Sequence, residues 1–367
     1  MNILIWHVHG SWTTAFVQGP HRYLLPTLPE RGPWGGGRPA AWDWPANAVE
    51  VSPEELRLAD VDVVVLQRPE EFELAERWLG RVPGRDVPAI YLEHNTPREH
   101  AATSRHPTAD RDDVLLVHVT HFNALMWDAG STATTVVEHG VIDPGQRPAG
   151  ELAAAAVVIN EPVRRGRVTG TDLLPALAAA APIDVYGIGT DGLGEYLRTG
   201  LGVDPATAAR VRSGGDLPQH RMHDELARHR VYLHTARWTS LGLSLIEAMM
   251  LGMPVVVLGT TEALEAVPPE AGVRSTDPAR LRAGLRKFTT DPAAAAAAGR
   301  AARAAALARF GLGRFLGDWE DVLARAARSA RGRPARAGPP ATDPGPAVTP
   351  RPAPTIPIAG TITTAGS

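Results

Sequence analysis

The sequence of 367 residues contains no cysteine. This absence excludes disulfide bonds, thiolate metal sites and cysteine nucleophiles together, and it fits a reducing compartment, so we expect a cytoplasmic protein. Neither sign of charge is in large excess, because 37 lysine and arginine residues stand against 40 acidic residues, for a net charge of −3. Such a balance does not indicate a protein that binds nucleic acid by general electrostatic attraction.

Long apolar segments are missing as well. No stretch approaches the roughly 20 apolar residues that cross a bilayer as a helix, which predicts a protein that is soluble or at most peripheral to a membrane. Residues 1–10 lack the basic start and the long apolar core of a signal peptide. They predict a first β-strand that stops at Gly10, followed by a helix with Ser11 as its N-cap.

What is present is an alternation of short apolar runs with amphipathic segments. The apolar runs that predict strands lie at residues 2–7, 61–66, 88–92, 114–119 and 136–138, and then at 156–159, 183–186, 231–236 and 255–258. Strands that alternate with helices predict a parallel, doubly wound sheet, and the chain is long enough for two such domains. We place these domains at 1–147 and 148–312, because residues 144–151 have the composition of a linker.

Two further segments complete the chain. A helix is predicted over 313–331, where Phe315, Trp319 and Leu323 recur at near-helical spacing and form an apolar stripe. Beyond it, residues 332–367 are rich in proline, alanine and threonine and have few large apolar side chains. This tail is therefore predicted to be disordered.

The stretch 231–257 carries the clearest indication of a site. It predicts a strand at 231–236, a helix at 244–251 and a second strand at 255–258, which together make a βαβ unit with parallel strands. Ligands of such units bind at the carboxyl ends of the strands, and the first turn of the helix presents N–H groups that favour anions. We therefore expect a negatively charged ligand at the turn that ends at Gly242.

This region also resembles a known family. The segment G-L-S-L-I-E-A-M-M-L-G-M-P-V-V, residues 242–256, is similar to the donor-site signature of the family 4 glycosyltransferases almost residue for residue. Weaker similarities lie at V-V-E-H-G-V-I-D (136–143), D-V-Y-G-I-G (184–189) and 215–226, so the resemblance covers roughly residues 1–330. It implies the α/β architecture called GT-B, in which two Rossmann-like doubly wound domains face each other across a cleft and the last helix crosses back to the first domain.

The resemblance also implies a reaction. Members of this family transfer a sugar from a nucleotide-diphosphate sugar to an acceptor with retention of anomeric configuration. The donor would bind to the second domain and the acceptor to the first. Because the donor is a substrate, we expect no cofactor, no metal and no nucleic acid. A glycan, a lipid and a small molecule all stay open as acceptors, and so does a peripheral contact with a membrane.

Donor binding is assigned first to the signature itself. The resemblance places Glu247 at the ribose hydroxyls of the donor and the amides around Leu243 and Ser244 at its diphosphate. A second interpretation fits the same letters, because Ser244-Leu-Ile-Glu247 is a capping-box pattern in which Glu247 caps its own helix. The two interpretations can coexist, since a carboxylate accepts several hydrogen bonds.

The cations for the diphosphate are expected in the turn after the first strand of the second domain. Arg164, Arg165 and Arg167 lie there, whereas the family has an arginine followed by a lysine, whose place here holds Thr169. Which arginine substitutes is open. The alternative is that all are solvated loop arginines.

Two more residues are assigned by the resemblance, and Gly10 is singled out by its place after the first strand, where an ordinary turn glycine is the alternative. Thr239 replaces a second family glutamate that contacts the sugar, so we expect a different donor or donor orientation, or reduced or lost activity. His94, in Y-L-E-H-N-T-P, is similar to the histidine that lies over the donor sugar, where imidazole can hydrogen-bond or carry a proton. Gly10 follows the first strand, where a small residue lets a diphosphate or an acceptor approach the backbone.

Several competing interpretations remain. The glycines at 187, 189 and 192 form the G-x-G-x-x-G pattern of dinucleotide sites, although no clear helix is predicted to start at Gly192. Two histidine pairs, at 118/121 and 220/223, have metal-ligand spacing but no third ligand nearby in sequence. As alternative functions, the missing lysine and Thr239 favour a degenerate GT-B module that binds a nucleotide sugar or a glycan. A sugar-nucleotide epimerase on the same fold is the third candidate.

Overall fold

The computed structural model describes residues 1–39, 42–98 and 100–331. The tail that is predicted to be disordered, 332–367, lies outside the described residues. The polypeptide up to residue 331 forms one unit. That unit contains two parallel sheets.

In the described part of the chain, seven strands form the first sheet. They are β1 (Asn2–Ile5), β2 (Arg22–Pro26), β3 (Ala48–Val51), β4 (Val63–Leu66), β5 (Ala89–Glu93), β6 (Val114–His118) and β7 (Thr134–Val136). Their order across the sheet is β3-β2-β1-β4-β5-β6-β7, and neighbours are parallel throughout. We call the residues up to β7 the first half of the molecule.

The second sheet repeats this plan. Its strands are β8 (Leu152–Val158), β9 (Ile183–Tyr186), β10 (Val211–Gly215), β11 (His229–His234), β12 (Val255–Leu258) and β13 (Gly272–Ser275). They are parallel in the order β10-β9-β8-β11-β12-β13. Both sheets thus contain the Rossmann order 3-2-1-4-5-6, which β7 extends by a seventh strand in the first sheet, and the predicted doubly wound architecture is confirmed. We call β8 to β13 with their helices the second half.

Four of these strands have no counterpart among the predicted ones. They are β2, β3, β10 and β13. The strands β3, β10 and β13 lie at the edge of a sheet, so each has a neighbouring strand on one side only. An edge strand is less completely buried than an inner one, and these sequences (A-V-E-V, V-R-S-G-G and G-V-R-S) contain no continuous apolar run. β2 ends at Pro26, a residue that usually argues against an inner strand.

Helices connect the strands on both faces of each sheet. They are α1 (Gly10–Phe16), α2 (Pro53–Leu58), α3 (Glu70–Leu79), α4 (His121–Met126), α5 (Pro162–Arg165), α6 (Leu174–Ala178), α7 (Leu193–Glu195), α8 (Pro205–Ala208), α9 (Gln219–Arg228), α10 (Leu243–Leu251), α11 (Ala263–Ala266), α12 (Pro278–Thr290), α13 (Pro292–Phe310) and α14 (Leu312–Arg331). Two expectations about helix starts were wrong. The N-cap of α1 is His9, so Ser11 lies inside the helix. A helical turn does follow Gly192, because α7 continues as a π-helix over Tyr196–Gly200.

The last helix belongs to the core of the first sheet, as predicted. Phe315, Trp319 and Leu323 of α14 are at most 1% exposed and lie in the same apolar cluster as Ile3 and Val63. The Trp319 ring packs edge-on against Phe16 and Trp12 of α1. The chain therefore crosses from the second half back to the first, and it does so because an amphipathic helix must bury its apolar stripe.

The Rossmann order determines where a ligand fits. In each sheet the connections run in opposite directions from two central neighbours, β1 and β4 in the first sheet and β8 and β11 in the second. A crevice opens at the carboxyl ends of such strands, because the loops that follow them diverge. A site is expected where the two crevices meet.

The helix α13 holds α10 in place at close range. A Cβ atom on Gly299 of α13 would lie 2.0 Å from the carbonyl oxygen of Gly252, at the end of α10, so only glycine allows this approach. We expect Gly299→Ala to lower the free energy of unfolding by about 2 kcal/mol, because the helices must move apart. Thermal or denaturant unfolding measures the change.

The matched control for Gly299→Ala is Gly317→Ala in α14. Nothing lies within 4 Å of a Cβ atom at Gly317. Alanine there is expected to stabilise the protein by roughly 0.5–1 kcal/mol, since it favours the helix without a clash. Equal effects of the two substitutions would contradict the close approach.

Candidate functional site

A cavity of about 910 Å³ lies between the two halves. Residues that follow β1 and β5 line it from the first half, and residues that follow β8 and β11, with the start of α10, line it from the second. The cavity thus occupies the crevice that the strand order predicts in both sheets.

Most residues singled out from the sequence meet in this cavity. Its lining includes Gly10, His94, Arg164, Arg165, Thr239, Leu243, Ser244 and Glu247. Arg167 is not in the lining; its guanidinium, 78% exposed, pairs with Asp172 at 2.9 Å. Asp172 is also paired with Arg237, at 2.5 Å. The structure therefore separates Arg167 from the other two arginines of the turn.

The start of α10 is packed tightly against β11. A Cβ atom at the N-cap, Gly242, would lie 2.8 Å from the imidazole of His234, so glycine lets the helix start against this ring. Tyr232 fixes the same turn by donating its hydroxyl hydrogen to Ser244 Oγ, at 2.8 Å. The first N–H groups of a helix have no intrahelical acceptor, and here the first residues of α10, Leu243 and Ser244, line the cavity.

The carboxylate of Glu247 is held from outside its own helix. Gln219 donates from Nε2 to Glu247 Oε1 at 2.9 Å, and His223 Nε2 lies 3.3 Å from Oε2. Helix α10 begins at Leu243 with Gly242 as its N-cap, so Ser244 lies inside the helix and the capping-box interpretation is wrong. Glu247 is 6% exposed and lines the cavity, and each of its oxygens has a further lone pair for a ligand hydroxyl.

Positive charge collects on one side of the cavity. Arg165 is half-buried, and among the residues that the structure describes no carboxylate pairs with it. Burial, together with the charges of Arg164 and Arg98, lowers the pKa of its guanidinium below the usual value. Arg164 lies 3.4 Å from Glu161 and is mostly exposed. An anion in the cavity would relieve this repulsion.

Arg98 is a residue that the sequence analysis did not identify. It lines the cavity from the first half, four residues after His94 in the loop that follows β5. Its distance in sequence from the basic turn hides the relation, because about 65 residues separate Arg98 from Arg164. Only the position of His94 in the same loop could have indicated it.

Three histidines lie together on the first-half side of the cavity. The rings of His9 and His94 are 3.9 Å apart between centroids, and His139 lines the same wall. Burial lowers the pKa of His9 to about 4 and that of His139 to about 3, and it holds the pKa of His94 well below its usual value. All three imidazoles are therefore neutral at pH 7.

The hydrogen bonds of Gln67 determine the tautomer of His94. Gln67 donates from Nε2 to the carbonyl oxygen of Trp6 at 2.8 Å, so its Oε1 is the atom that faces His94. His94 Nε2, 3.0 Å away, must then donate. The other ring nitrogen, Nδ1, is left unprotonated and can accept a hydrogen bond from a hydroxyl.

Thr239 lies in a loop that touches the first half on both sides of it. Trp238 donates from Nε1 to the carbonyl oxygen of Pro97 at 2.6 Å, and Ser240 Oγ lies 3.2 Å from Thr120 Oγ1. In the described lining, the carboxylates are Glu161 and Glu247, so no acidic group stands beside Thr239. The hydroxyl of Thr169, in the place of the family lysine, is bonded to Gly166 and Thr171 and brings no charge.

The competing patterns lie elsewhere. Gly187, Gly189 and Gly192 are not in the described lining of the cavity. Within residues 1–39, 42–98 and 100–331, no group of three or more histidine, cysteine, aspartate or glutamate side chains is placed to hold a metal ion. Over the same ranges, no helix is both long and apolar enough to cross a membrane.

Comparison with known families identifies part of the second half. Residues 164–321 match a family model described as glycosyl transferase-like. This segment contains Arg164, Arg165, Thr239 and Glu247. No curated protein matches the chain in sequence.

Solved structures match the chain over most of its length. Sucrose-phosphate synthase from Thermosynechococcus elongatus has a TM-score of 0.68 at 13% identity, over 89% of this chain and 99% of that one. HepE of Anabaena, solved in complex with UDP, has a TM-score of 0.64 at 15% identity, over 89% and 100%. A glycosyltransferase from Rickettsia africae has a TM-score of 0.60 at 11% identity, over 89% and 97%. The predicted GT-B fold is confirmed.

Proposed function

We propose that the protein is a retaining glycosyltransferase that transfers a sugar from a nucleotide-diphosphate sugar to an acceptor. One observation carries the proposal: the buried carboxylate of Glu247, the open N-terminus of α10 and the half-buried Arg165 line one cavity. These groups match the ribose hydroxyls and the diphosphate of such a donor. The glycosyl transferase-like match over 164–321 and the HepE structure with UDP support the same assignment.

The proposed reaction exchanges one C–O bond for another. The bond between the anomeric carbon of the sugar and the diphosphate oxygen breaks, and the acceptor oxygen bonds to the same carbon on the same face. The acceptor proton passes to the departing phosphate, so no carboxylate base is needed. Negative charge grows on the diphosphate as the bond breaks, and Arg165 with the amides of Leu243 and Ser244 stabilises that charge.

The sugar itself would lie between Thr239 and His94. The hydroxyl of Thr239 and the unprotonated Nδ1 of His94 can hydrogen-bond sugar hydroxyls. Both groups are uncharged, so in this proposal the sugar is held by hydrogen bonds to neutral groups, without an acidic residue beside it. Thr239 would orient the donor by hydrogen bonding alone.

The acceptor would bind on the first-half side, where Gly10 and Trp42 line the cavity. A glycan, a lipid and a small molecule stay open as its class, and a lipid would require contact with a membrane surface. We propose a cytoplasmic location, no nucleic acid partner, and no cofactor or metal beyond the donor. We propose that residues 1–147 form the domain that binds the acceptor and residues 148–312 the domain that binds the donor. Residues 313–331 form the helix that returns to the first domain.

The two alternatives differ in their products. A degenerate GT-B module would bind a nucleotide sugar or a glycan and release neither nucleotide nor product. An epimerase would return a changed sugar that is still attached to its nucleotide. Incubating the protein with UDP- and GDP-sugars and a broad acceptor panel, followed by mass spectrometry and NMR, separates them. Transfer predicts free nucleoside diphosphate and a glycosylated acceptor with retained configuration.

A thermal-shift panel tests donor binding, since a ligand that binds only the folded protein raises its melting temperature. We expect stabilisation by a nucleotide-diphosphate sugar, and we expect Glu247→Ala to weaken that affinity at least about tenfold, because a carboxylate bonded to ribose is lost. Glu265→Ala, an exposed change on α11 outside the cavity lining, is the control. Unchanged affinity in Glu247→Ala would remove the ribose assignment.

A further inference from the structure

The loop that carries Arg98 is fixed from both halves of the molecule. Trp127 of the first half donates from Nε1 to the carbonyl oxygen of Asn95 at 2.8 Å, and Trp238 of the second half donates to that of Pro97 at 2.6 Å. The Asn95 N–H is bonded to Glu93 Oε1 at 2.6 Å. These hydrogen bonds hold the backbone of the loop in which Arg98, an exposed residue of the cavity lining, follows Pro97.

Arg98 and Arg165 line the same cavity, and the charge of Arg98 is one of the causes that lower the pKa of Arg165. Over the described ranges no carboxylate is paired with either guanidinium, whereas Arg164 has Glu161 at 3.4 Å. Two guanidinium groups of the cavity lining therefore have no paired carboxylate in the described residues. The partial positive charge at the start of α10 adds to their charge. A nucleotide-sugar diphosphate carries about two negative charges near neutral pH, which matches this set.

The positions of the two guanidinium groups favour a ligand-binding role. Arg98 comes from the first half and Arg165 from the second, and both line the same cavity. Two like charges in one cavity without a counterion repel each other, so the arrangement favours the state in which an anion lies near both.

We propose that Arg98 binds the diphosphate of the donor from the first half, together with Arg165 of the second. This inference rests on the proposed function, because it takes the donor to be a nucleotide-diphosphate sugar. One diphosphate bound by cations of both halves links the halves directly, so the donor completes the cavity against which the acceptor binds. Arg98 is then a donor-binding residue that the basic turn of the second half cannot replace.

The test compares ligands that differ only in their phosphates. Calorimetry measures the affinity of the full-length protein for UDP and uridine, or for GDP and guanosine if GDP binds more tightly. We expect Arg98→Gln to weaken the affinity for the nucleoside diphosphate about tenfold and to leave the affinity for the nucleoside unchanged. Arg98→Lys, which keeps the positive charge, is expected to keep most of the affinity for the diphosphate. Arg22→Gln is the matched control, because it removes the same charge from an exposed residue on β2 that lies outside the cavity lining.

The outcomes separate this inference from the function on which it rests. If the wild type binds the diphosphate and Arg98→Gln binds it equally well, Arg98 is not a diphosphate ligand and the inference is overturned. If Arg98→Gln loses sugar transfer with unchanged diphosphate affinity, Arg98 acts on the acceptor, and the inference is again overturned. A wild type that binds no nucleoside diphosphate overturns the proposed function and the inference together.

Discussion

Arg165→Met is expected to lower kcat/KM for sugar transfer about 100-fold without lowering the melting temperature. Hydrogen bonds to charged groups contribute about 1.5–3 kcal/mol, and this one would strengthen as charge grows on the leaving diphosphate. The stability of the unliganded protein should not suffer, because burial and the neighbouring charges of Arg98 and Arg164 already disfavour the charged form of Arg165. A residue with a structural role would show the opposite pattern.

Arg167→Met is the matched control for this experiment. Both residues lie in the same turn of the second half, but Arg167 is 78% exposed, pairs with Asp172 and lies outside the cavity lining. Asp172 keeps a partner in Arg237, so the turn retains its ion pair. We expect kcat/KM within about twofold of the wild type, as is usual for an exposed ion pair. Equal losses in the two variants would show that the turn acts through its overall charge.

Mild acid is expected to destabilise the protein strongly. Burial lowers the pKa of four histidines, to about 4 for His9, His118 and His234 and to about 3 for His139. In the unfolded chain these groups take up protons near pH 6.5, whereas in the folded protein they stay neutral. The unfolded state therefore binds more protons between pH 6.5 and about 4, so stability falls as the pH falls through this window and is constant above it.

The expected size of this effect makes it easy to detect. Four such groups together lower the free energy of unfolding by about 6 kcal/mol between pH 6.5 and pH 5, which is comparable with the whole stability of many domains. Melting temperatures measured from pH 8 to pH 5 should be level above pH 7 and fall steeply below pH 6.5. A level curve down to pH 5 would mean that these imidazoles are not neutral and buried.

His118→Gln is the control for the acid effect. His118 is fully buried in β6, lies outside the cavity lining and has no hydrogen-bond partner for either ring nitrogen in the described residues. Glutamine cannot take up a proton, so this variant should lose about 1.5 kcal/mol less between pH 6.5 and pH 5. Its stability at pH 8 reports separately on packing.

Local sequence patterns were sufficient for the elements that have strong local signals. The strands β9 and β12 lie at the predicted residues, since their sequences, I-D-V-Y and V-V-V-L, are mostly apolar and rich in β-branched residues. The helices α12 and α13 have a strong local signal of another kind, an aspartate before a proline: the N-caps Asp277 and Asp291 accept backbone hydrogen bonds at 2.8 and 2.9 Å. The edge strands β3, β10 and β13 lacked such signals because a strand with a neighbour on one side only is less completely buried and does not require a continuous apolar sequence.

The sequence by itself determined the α/β alternation, the strand-turn-helix unit around α10, and the apolar stripe of α14. These features depend on contacts within a few residues or on one buried face. Only the tertiary structure decided that Glu247 is held by Gln219 and His223, that Arg167 turns to Asp172, and that Arg98 joins Arg165 at the cavity. The first and the last of these depend on groups far apart in sequence, and Arg98 meets Arg165 because the crevices of two separate sheets lie on the same cavity. The ion pair of Arg167 is local, but hydrophobic periodicity does not indicate which way a loop side chain turns.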